Sequence, residues 1–223
     1  MKSQKHEVPI PTIKRLPSYL RLLQGYQAEG MEMVSATKLA AELGLKSIQV
    51  RKDISCTGIE GKPKVGFPVS ALIDAIVSTL GWDNATDAIL VGVGHLGSAL
   101  LRYEGFANYG LRIVAAFDSD TEKTERSIAS VPVYPMEHLQ EFLLEHHVNI
   151  AVLTVPAEAA QAVAEELVSL GITALWNFAP KDLKLDSSTV VQRTDLATSF
   201  AVLSAQVKQR LLTKQRPCCE EPW

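Results

Sequence analysis

Ala88-Ile-Leu-Val91 runs directly into Gly92-Val-Gly-His-Leu-Gly97, after which Ser98-Ala-Leu-Leu-Arg-Tyr103 takes up helical spacing. Strand, glycine loop and helix in that order form the opening of a unit that cradles a dinucleotide. The three glycines have separate tasks. Gly92 permits a tight turn, Gly94 lets backbone approach a pyrophosphate, and Gly97 lets helix and strand pack closely, which leaves the first amide N–H groups aimed at the anion. The next strand, Leu111-Arg-Ile-Val-Ala-Ala-Phe117, ends in Asp118, 21 residues after Gly97. A carboxylate there accepts from an adenosine ribose 2′-OH and repels a 2′-phosphate, so the pattern points to NAD(H) rather than NADP(H).

The alternation continues toward the C-terminus with Val131-Pro-Val-Tyr134, a helical Met136-to-Leu144 segment, the strand Ile150-Ala-Val-Leu-Thr-Val155, the helix Ala157-to-Leu170 and the strand Thr173-Ala-Leu-Trp176. Such βαβ repetition predicts a parallel sheet of the Rossmann type. Thr154-Val155-Pro156-Ala157 and Asn177-Phe-Ala-Pro180 fall just past strand carboxyl ends, where open α/β sheets bind ligands. They are candidates for ribose and nicotinamide contacts, or are ordinary βα turns punctuated by proline. A dehydrogenase needs a general acid/base near the nicotinamide. His138, His146 and His147 belong to one helix and its end, and His95 sits in the glycine loop, where an anion contact or helix-start role suits it better. Hence no catalytic residue is assigned, and binding without turnover is the economical reading. Leu196 to Leu212 is an amphipathic helix with Phe200, Leu203 and Val207 on one face, suited to a partner subunit or to its own sheet.

Working back from the glycine loop, Gly81-Trp-Asp-Asn-Ala-Thr-Asp87 is a polar, punctuated boundary. Residues 1–80 carry 11 Lys and Arg against 7 Asp and Glu, whereas residues 81–223 carry 11 against 18. The divisions expected are a winged-helix domain at 1–80, a nucleotide-binding domain at 81–195, a dimerisation helix at 196–212 and a disordered tail at 213–223. Within the first, Ile13, Leu16, Leu20 and Leu23 mark one helix, with Pro17 in its first turn or as a kink. Ser35 caps a second that Gly44 ends, and Ser47 caps a third, Ile48 to Ile54. Two helices across a tight turn make helix-turn-helix geometry, and the broken stretch Gly58 to Pro68 suits a β-hairpin wing. In that arrangement Ser47, Gln49, Arg51 and Lys52 face double-stranded DNA, with Arg51 able to fork onto a guanine edge and Lys52 suited to phosphate, while Lys62 and Lys64 extend from the wing. The plainer alternative is that Arg51-Lys52-Asp53 is the solvated face of a short helix.

With 47% hydrophobic and 21% charged residues, the 223-residue chain has the composition of a globular protein. No apolar run approaches the roughly 18 residues of a membrane span, and the N-terminus leads into no signal-peptide core, so a cytoplasmic protein is expected. Cys56 and the adjacent Cys218-Cys219 pair offer neither a disulfide framework nor a zinc spacing, and no metal site is expected.

These features together resemble the redox-sensing transcriptional repressor family Rex over Ile10 to Leu212. The resemblance is carried by Arg15-Leu-Pro-Ser-Tyr-Leu-Arg21, Gln49-Val-Arg-Lys-Asp-Ile-Ser55, Gly92-Val-Gly-His-Leu-Gly97, Ala115-Ala-Phe-Asp118, Thr154-Val-Pro-Ala-Glu-Ala-Ala-Gln161, Asn177-Phe-Ala-Pro180 and Asp195-Leu196. It implies a homodimer with an exchanged C-terminal helix that binds operator DNA when NADH is low and releases it when NADH accumulates. It also implies a polar switch at Arg15, Tyr103 and Asp195, with Tyr103 near the nicotinamide together with Thr154, Val155 and Pro156. Gly92, Gly94, His95, Leu96, Gly97 and Asp118 complete the implied cofactor set. The chain departs from the family pattern at Cys56-Thr57, where two aromatic rings are replaced, at Pro63 and Lys64 in place of an Arg-Gly pair in the wing, and at His95. A relative with altered or lost operator recognition, or a small NAD-dependent oxidoreductase, are the alternatives.

Overall fold

The computed structural model describes residues 8–63 and 65–214. By internal contacts the chain separates into two units: one runs to Ala85 and includes 108–110, and the other comprises Thr86–Ala107 and the residues from Leu111 onward. The division falls a few residues beyond the expected cut at 81 because Trp82 packs against the first unit's core.

In the first unit, α1 (Ile10–Ala28) is followed by β1 (Met33–Val34), α2 (Ala36–Leu43), α3 (Ser47–Ser55), β2 (Phe67–Pro68) and α4 (Val69–Leu80). The apolar stripe of α1 places Leu16, Tyr19, Leu20, Leu23 and Tyr26 in the interior, and Pro17 lies inside the helix rather than in its first turn. Burial of that stripe outweighs the backbone hydrogen bond that Pro17 cannot make. Ser35 Oγ accepts from the Lys38 amide at 3.1 Å, and Gly44 closes α2 in the left-handed region at φ 62°. Ser47 does not cap α3; Lys46 occupies that position without a side-chain bond, and Ser47 is the first helical residue. The Lys46 carbonyl instead accepts from the Gln49 and Val50 amides.

The wing is shorter than the expected hairpin. A single antiparallel bridge joins Lys62 to Gly66, and Phe67–Pro68 pairs with Met33–Val34 from before α2. Gly66 is obligatory there: its φ is 109°, and a Cβ would stand 2.3 Å from the Val34 carbonyl oxygen. A three-helix reading also omits α4, whose Val69, Leu72 and Ile76 are buried in the same core.

The second unit is a seven-stranded sheet built from β3 (Thr86–Val91), β4 (Leu111–Asp118), β5 (Arg126–Ile128), β6 (Val131–Pro135), β7 (Ile150–Leu153), β8 (Ala174–Asn177) and β9 (Val190–Arg193), in the order β5-β6-β4-β3-β7-β8-β9. All neighbours are parallel except β5 with β6. The central strands are apolar without alternation, as a sheet covered on both faces requires. Ile89, Val91, Ala115 and Phe117 point into one cluster with α7 (Ala157–Ser169) and Leu139 of α6 (Leu139–Glu145), while Leu90, Ala116 and Val152 point into another with Leu101 of α5 (His95–Leu101). The final helix, α8 (Leu196–Lys214), exposes Phe200, Val202, Leu203, Val207 and Leu211. Cys218 and Cys219 lie outside the described residues, as does all of the expected tail beyond Lys214.

Candidate nucleotide pocket and nucleic-acid face

From β3 the chain leaves on one side to β4 and on the other to β7, so the sheet order reverses at the carboxyl end of β3, the place where such sheets open a crevice. A cavity of about 500 Å³ lies there, lined by Gly92, Gly94, Leu96, Asp118, Lys123, Thr154, Val155, Pro156 and Phe178 among others. The glycines show three different constraints. Gly92 has φ 96°, and a Cβ on it would meet the Thr154 backbone at 2.8 Å. A Cβ on Gly97 would lie 2.0 Å from the Gly92 carbonyl oxygen, so α5 cannot approach β3 with any larger residue. Gly94 has nothing of the protein within 4 Å of its missing Cβ, which leaves that side open toward the cavity it lines.

Thr154 pins this loop from β7: its Oγ1 lies 2.6 Å from the Gly92 carbonyl oxygen and 3.1 Å from that of Val91, to either of which the hydroxyl donates. Asp118 is buried and binds the loop from the other side. Its Oδ2 accepts from the Val93 amide at 2.6 Å and its Oδ1 from the Asp120 amide at 2.9 Å, while Lys123 Nζ stands 3.9 Å away. A carboxylate has about four acceptor sites, so this one retains capacity for a ribose hydroxyl. Lys123, which sequence reasoning missed, is held mainly by Asp120 at 2.9 Å; the pairing raises the lysine pKa and lowers that of the aspartate.

Three expected cofactor residues are not on the cavity wall: Gly97, buried where α5 packs on the loop, His95 and Tyr103. His95 is exposed at the first position of α5, and the Tyr103 ring, 52% exposed, lies across Gly105 and edge-on to Phe106 at 4.9 Å. Asn177 is buried and folds its own turn, accepting from the Ala179 amide and donating to the Lys181 carbonyl, which presents Phe178 to the cavity. Asp195 caps the start of α8 by accepting from the Ala197 amide and Thr198 hydroxyl, with Arg193 Nη2 at 2.8 Å; these bonds, the Thr198 hydroxyl foremost, lower its pKa.

In the first unit, Arg51 and Lys52 are exposed on α3, and Gln49 and Ser47 are half-buried. Arg51, Ser35, Thr37 and the wing residues Lys62, Pro63 and Val65 line an open groove of about 510 Å³. Lys64 lies outside the described residues. Cys56 ends α3 and is exposed, not packed, with Sγ 3.3 Å from the Lys52 carbonyl oxygen.

The reading of Arg51-Lys52-Asp53 as one solvated face fails at its third residue. Asp53 is 3% exposed and accepts from Thr12 Oγ1 at 2.8 Å, from Arg15 Nε and Nη2 at 2.7 Å, and from Tyr19 OH at 2.7 Å. Burial pushes this carboxyl up, but the bonds from Arg15, Tyr19 and Thr12 together hold it below the ordinary aspartate range. The same network raises the Tyr19 phenol, through burial first and the Asp53 bond second. Arg15 is therefore a partner of the recognition-type helix α3 in this structure, and Asp195 a partner of Arg193. The three residues nominated as a polar switch are each accounted for within their own units.

Comparison with known proteins places these features together. Residues 7–55 match a family described as a putative DNA-binding protein N-terminus, and residues 83–181 one described as a CoA binding domain. The redox-sensing transcriptional repressor Rex of Treponema denticola is 44% identical over 92% of this chain and 99% of its own length. The Rex of Porphyromonas gingivalis is 37% identical over 91% and 93%. Among solved structures, RSP, a Rex-family repressor, resembles this chain in its complex with β-NAD+ and operator DNA at a TM-score of 0.87 and 29% identity, covering 94% of this chain and 97% of that one. Its complex with β-NADH gives 0.84 and 28%, over 94% and 99%. The chain is a member of the redox-sensing transcriptional repressor family Rex.

Proposed function

We propose that this chain is a repressor that grips operator DNA while NADH is scarce and lets go when NADH binds. The observation that carries the reading is the likeness, over 94% of the chain, to a repressor solved both with β-NAD+ and operator DNA and with β-NADH. Its relatives are named as repressors, which sets the oxidoreductase alternative aside.

The residues present suit the cofactor. The amides at the start of α5 and the open side of Gly94 receive the pyrophosphate, and Asp118 keeps acceptor capacity for the adenosine ribose. Val155, Pro156 and Phe178 form an apolar wall beside Thr154. An uncharged reduced ring loses less solvation against that wall than the cationic oxidised ring, so the two forms favour different protein shapes. Shifting such an equilibrium from 1:99 to 99:1 requires about 5.5 kcal/mol of differential affinity, which two cofactors in a dimer divide between them. Arg51 and Gln49 read base edges, Lys52 and Lys62 hold phosphates, and Arg15, Tyr103 and Asp195 serve the coupling.

The apolar row on α8 is the surface for a second copy of the chain, giving a homodimer that presents two recognition helices to half-sites about 34–36 Å apart or a multiple of it. No helix among the described residues is long and apolar enough to cross a membrane, and a DNA-bound repressor of this kind acts in the cytoplasm.

The test is selection of duplexes from random DNA with NAD+ present, followed by anisotropy of the recovered duplex with NAD+ and with NADH. NADH should weaken binding, and operator should weaken NADH binding by the same factor. Equal retention of the duplex with both cofactors refutes the proposal.

A further inference from the structure

Trp176 on β8 joins three places in the nucleotide-binding unit. Its indole ring lies 4.9 Å from that of Phe178, which lines the cofactor cavity, and 5.6 Å from that of Phe106 in an edge-on contact. Phe106 in turn meets Tyr103 edge-on at 4.9 Å. On its polar side, Trp176 Nε1 donates to Thr194 Oγ1 at 2.8 Å, and the Thr194 amide donates to the Asn177 carbonyl at 2.8 Å. Thr194 immediately precedes Asp195, the cap of α8.

Filling this half-buried position needs only apolar volume, which a leucine supplies. An indole adds a directional N–H and a broad ring with preferred edge-to-face seats, so displacing one neighbour re-seats the others. The cavity wall at Phe178, the ring of Tyr103 and the start of α8 are thereby tied to one rigid side chain.

We propose that Trp176 is a positioning residue of the redox response, passing the occupancy of the wall at Phe178 to Tyr103 through Phe106 and to the cap of α8 through Thr194. This rests on the repressor reading above.

The test uses the full chain and the duplex recovered by selection with NAD+. The readout is the coupling factor, the ratio of duplex affinities with NAD+ and with NADH, alongside NADH affinity measured without DNA. Trp176→Phe keeps a ring and removes the N–H, and Thr194→Val removes its acceptor. Each should lower the coupling factor by about threefold or more from a wild-type value of roughly 5–150, with NADH affinity unchanged within about twofold. The double variant should fall no further than either single one, because both remove the same bond. Trp176→Leu should bring the factor close to one; should it fail to fold, the two conservative variants carry the test. A wild-type factor preserved in Trp176→Phe and Thr194→Val overturns the relay alone. A loss of coupling matched by an equal loss of NADH affinity also overturns it, since Trp176 would then only shape the cavity. A factor of one in the wild type overturns the repressor reading, and the relay with it.

Discussion

Replacing Asp53 by asparagine removes the charge on which Thr12, Arg15 and Tyr19 converge. Four side-chain hydrogen bonds of 2.7–2.8 Å meet this buried carboxylate, whereas the Arg15 side chain is 27% exposed. Breaking a buried ion pair by removing one partner costs about 3–5 kcal/mol. Since Arg15 keeps some access to water and asparagine keeps one acceptor oxygen, the lower end applies: about 3 kcal/mol, on the order of a hundredfold in the unfolding equilibrium of the first unit. The folded carboxyl is held below its ordinary range, so its contribution is complete above about pH 4 and fades as pH falls through the folded value. Urea unfolding at pH 7 and again near pH 3 measures this, with hydrogen exchange over Ile10–Ala28 and Ser47–Ser55 reporting the unit itself. The gap between wild type and variant should be wide at neutral pH and narrow in acid. Asp87→Asn, which breaks the exposed pair with Arg112, should lose much less. A variant as stable as wild type, or a loss of equal size at both pH values, would refute the reasoning.

Gly97→Ala and Gly94→Ala should separate packing from ligand access: the first places a Cβ 2.0 Å from the Gly92 carbonyl and should lower both stability and NADH affinity, whereas the second should leave the melting temperature unchanged and weaken NADH binding by about tenfold or more. Calorimetric melts and NADH fluorescence titrations of both proteins decide it. Arg51→Ala should cost about 1–3 kcal/mol and relax base preference, while Lys52→Ala should weaken all sequences alike and reduce the salt slope by about one, both read by anisotropy across a salt series. Leu203→Glu, on the apolar row of α8, should convert a dimer to a monomer in light-scattering chromatography while leaving the Rossmann sheet folded by circular dichroism.

The glycine loop was the most legible part of the sequence because its constraints are local: a positive φ at Gly92, contact at Gly97 and open space at Gly94 each demand glycine for a backbone reason. Asp53 was not legible, since its partners lie 34 to 41 residues upstream and a polar triplet on a short helix carries no sign of which member turns inward. β5 and its turn were missed for another reason. The turn uses Ala129 at φ 50° and Ser130 at φ 68°, where a glycine or asparagine is the usual marker. All four residues of the edge strand β9 are exposed, so it has no hydrophobic period to read. Trp176 and Lys123 gain meaning only from neighbours that the folded sheet supplies.

The last helix has a consequence for dosage. Five apolar side chains in water give a solitary protomer a reason to find another, at roughly 25 cal/mol for each Å² covered. Repression then depends on copy number as well as on nicotinamide: dilution of the protein below its assembly threshold would silence it while every cofactor pocket remained intact, and a truncated copy lacking α8 would be inert without poisoning its full-length siblings.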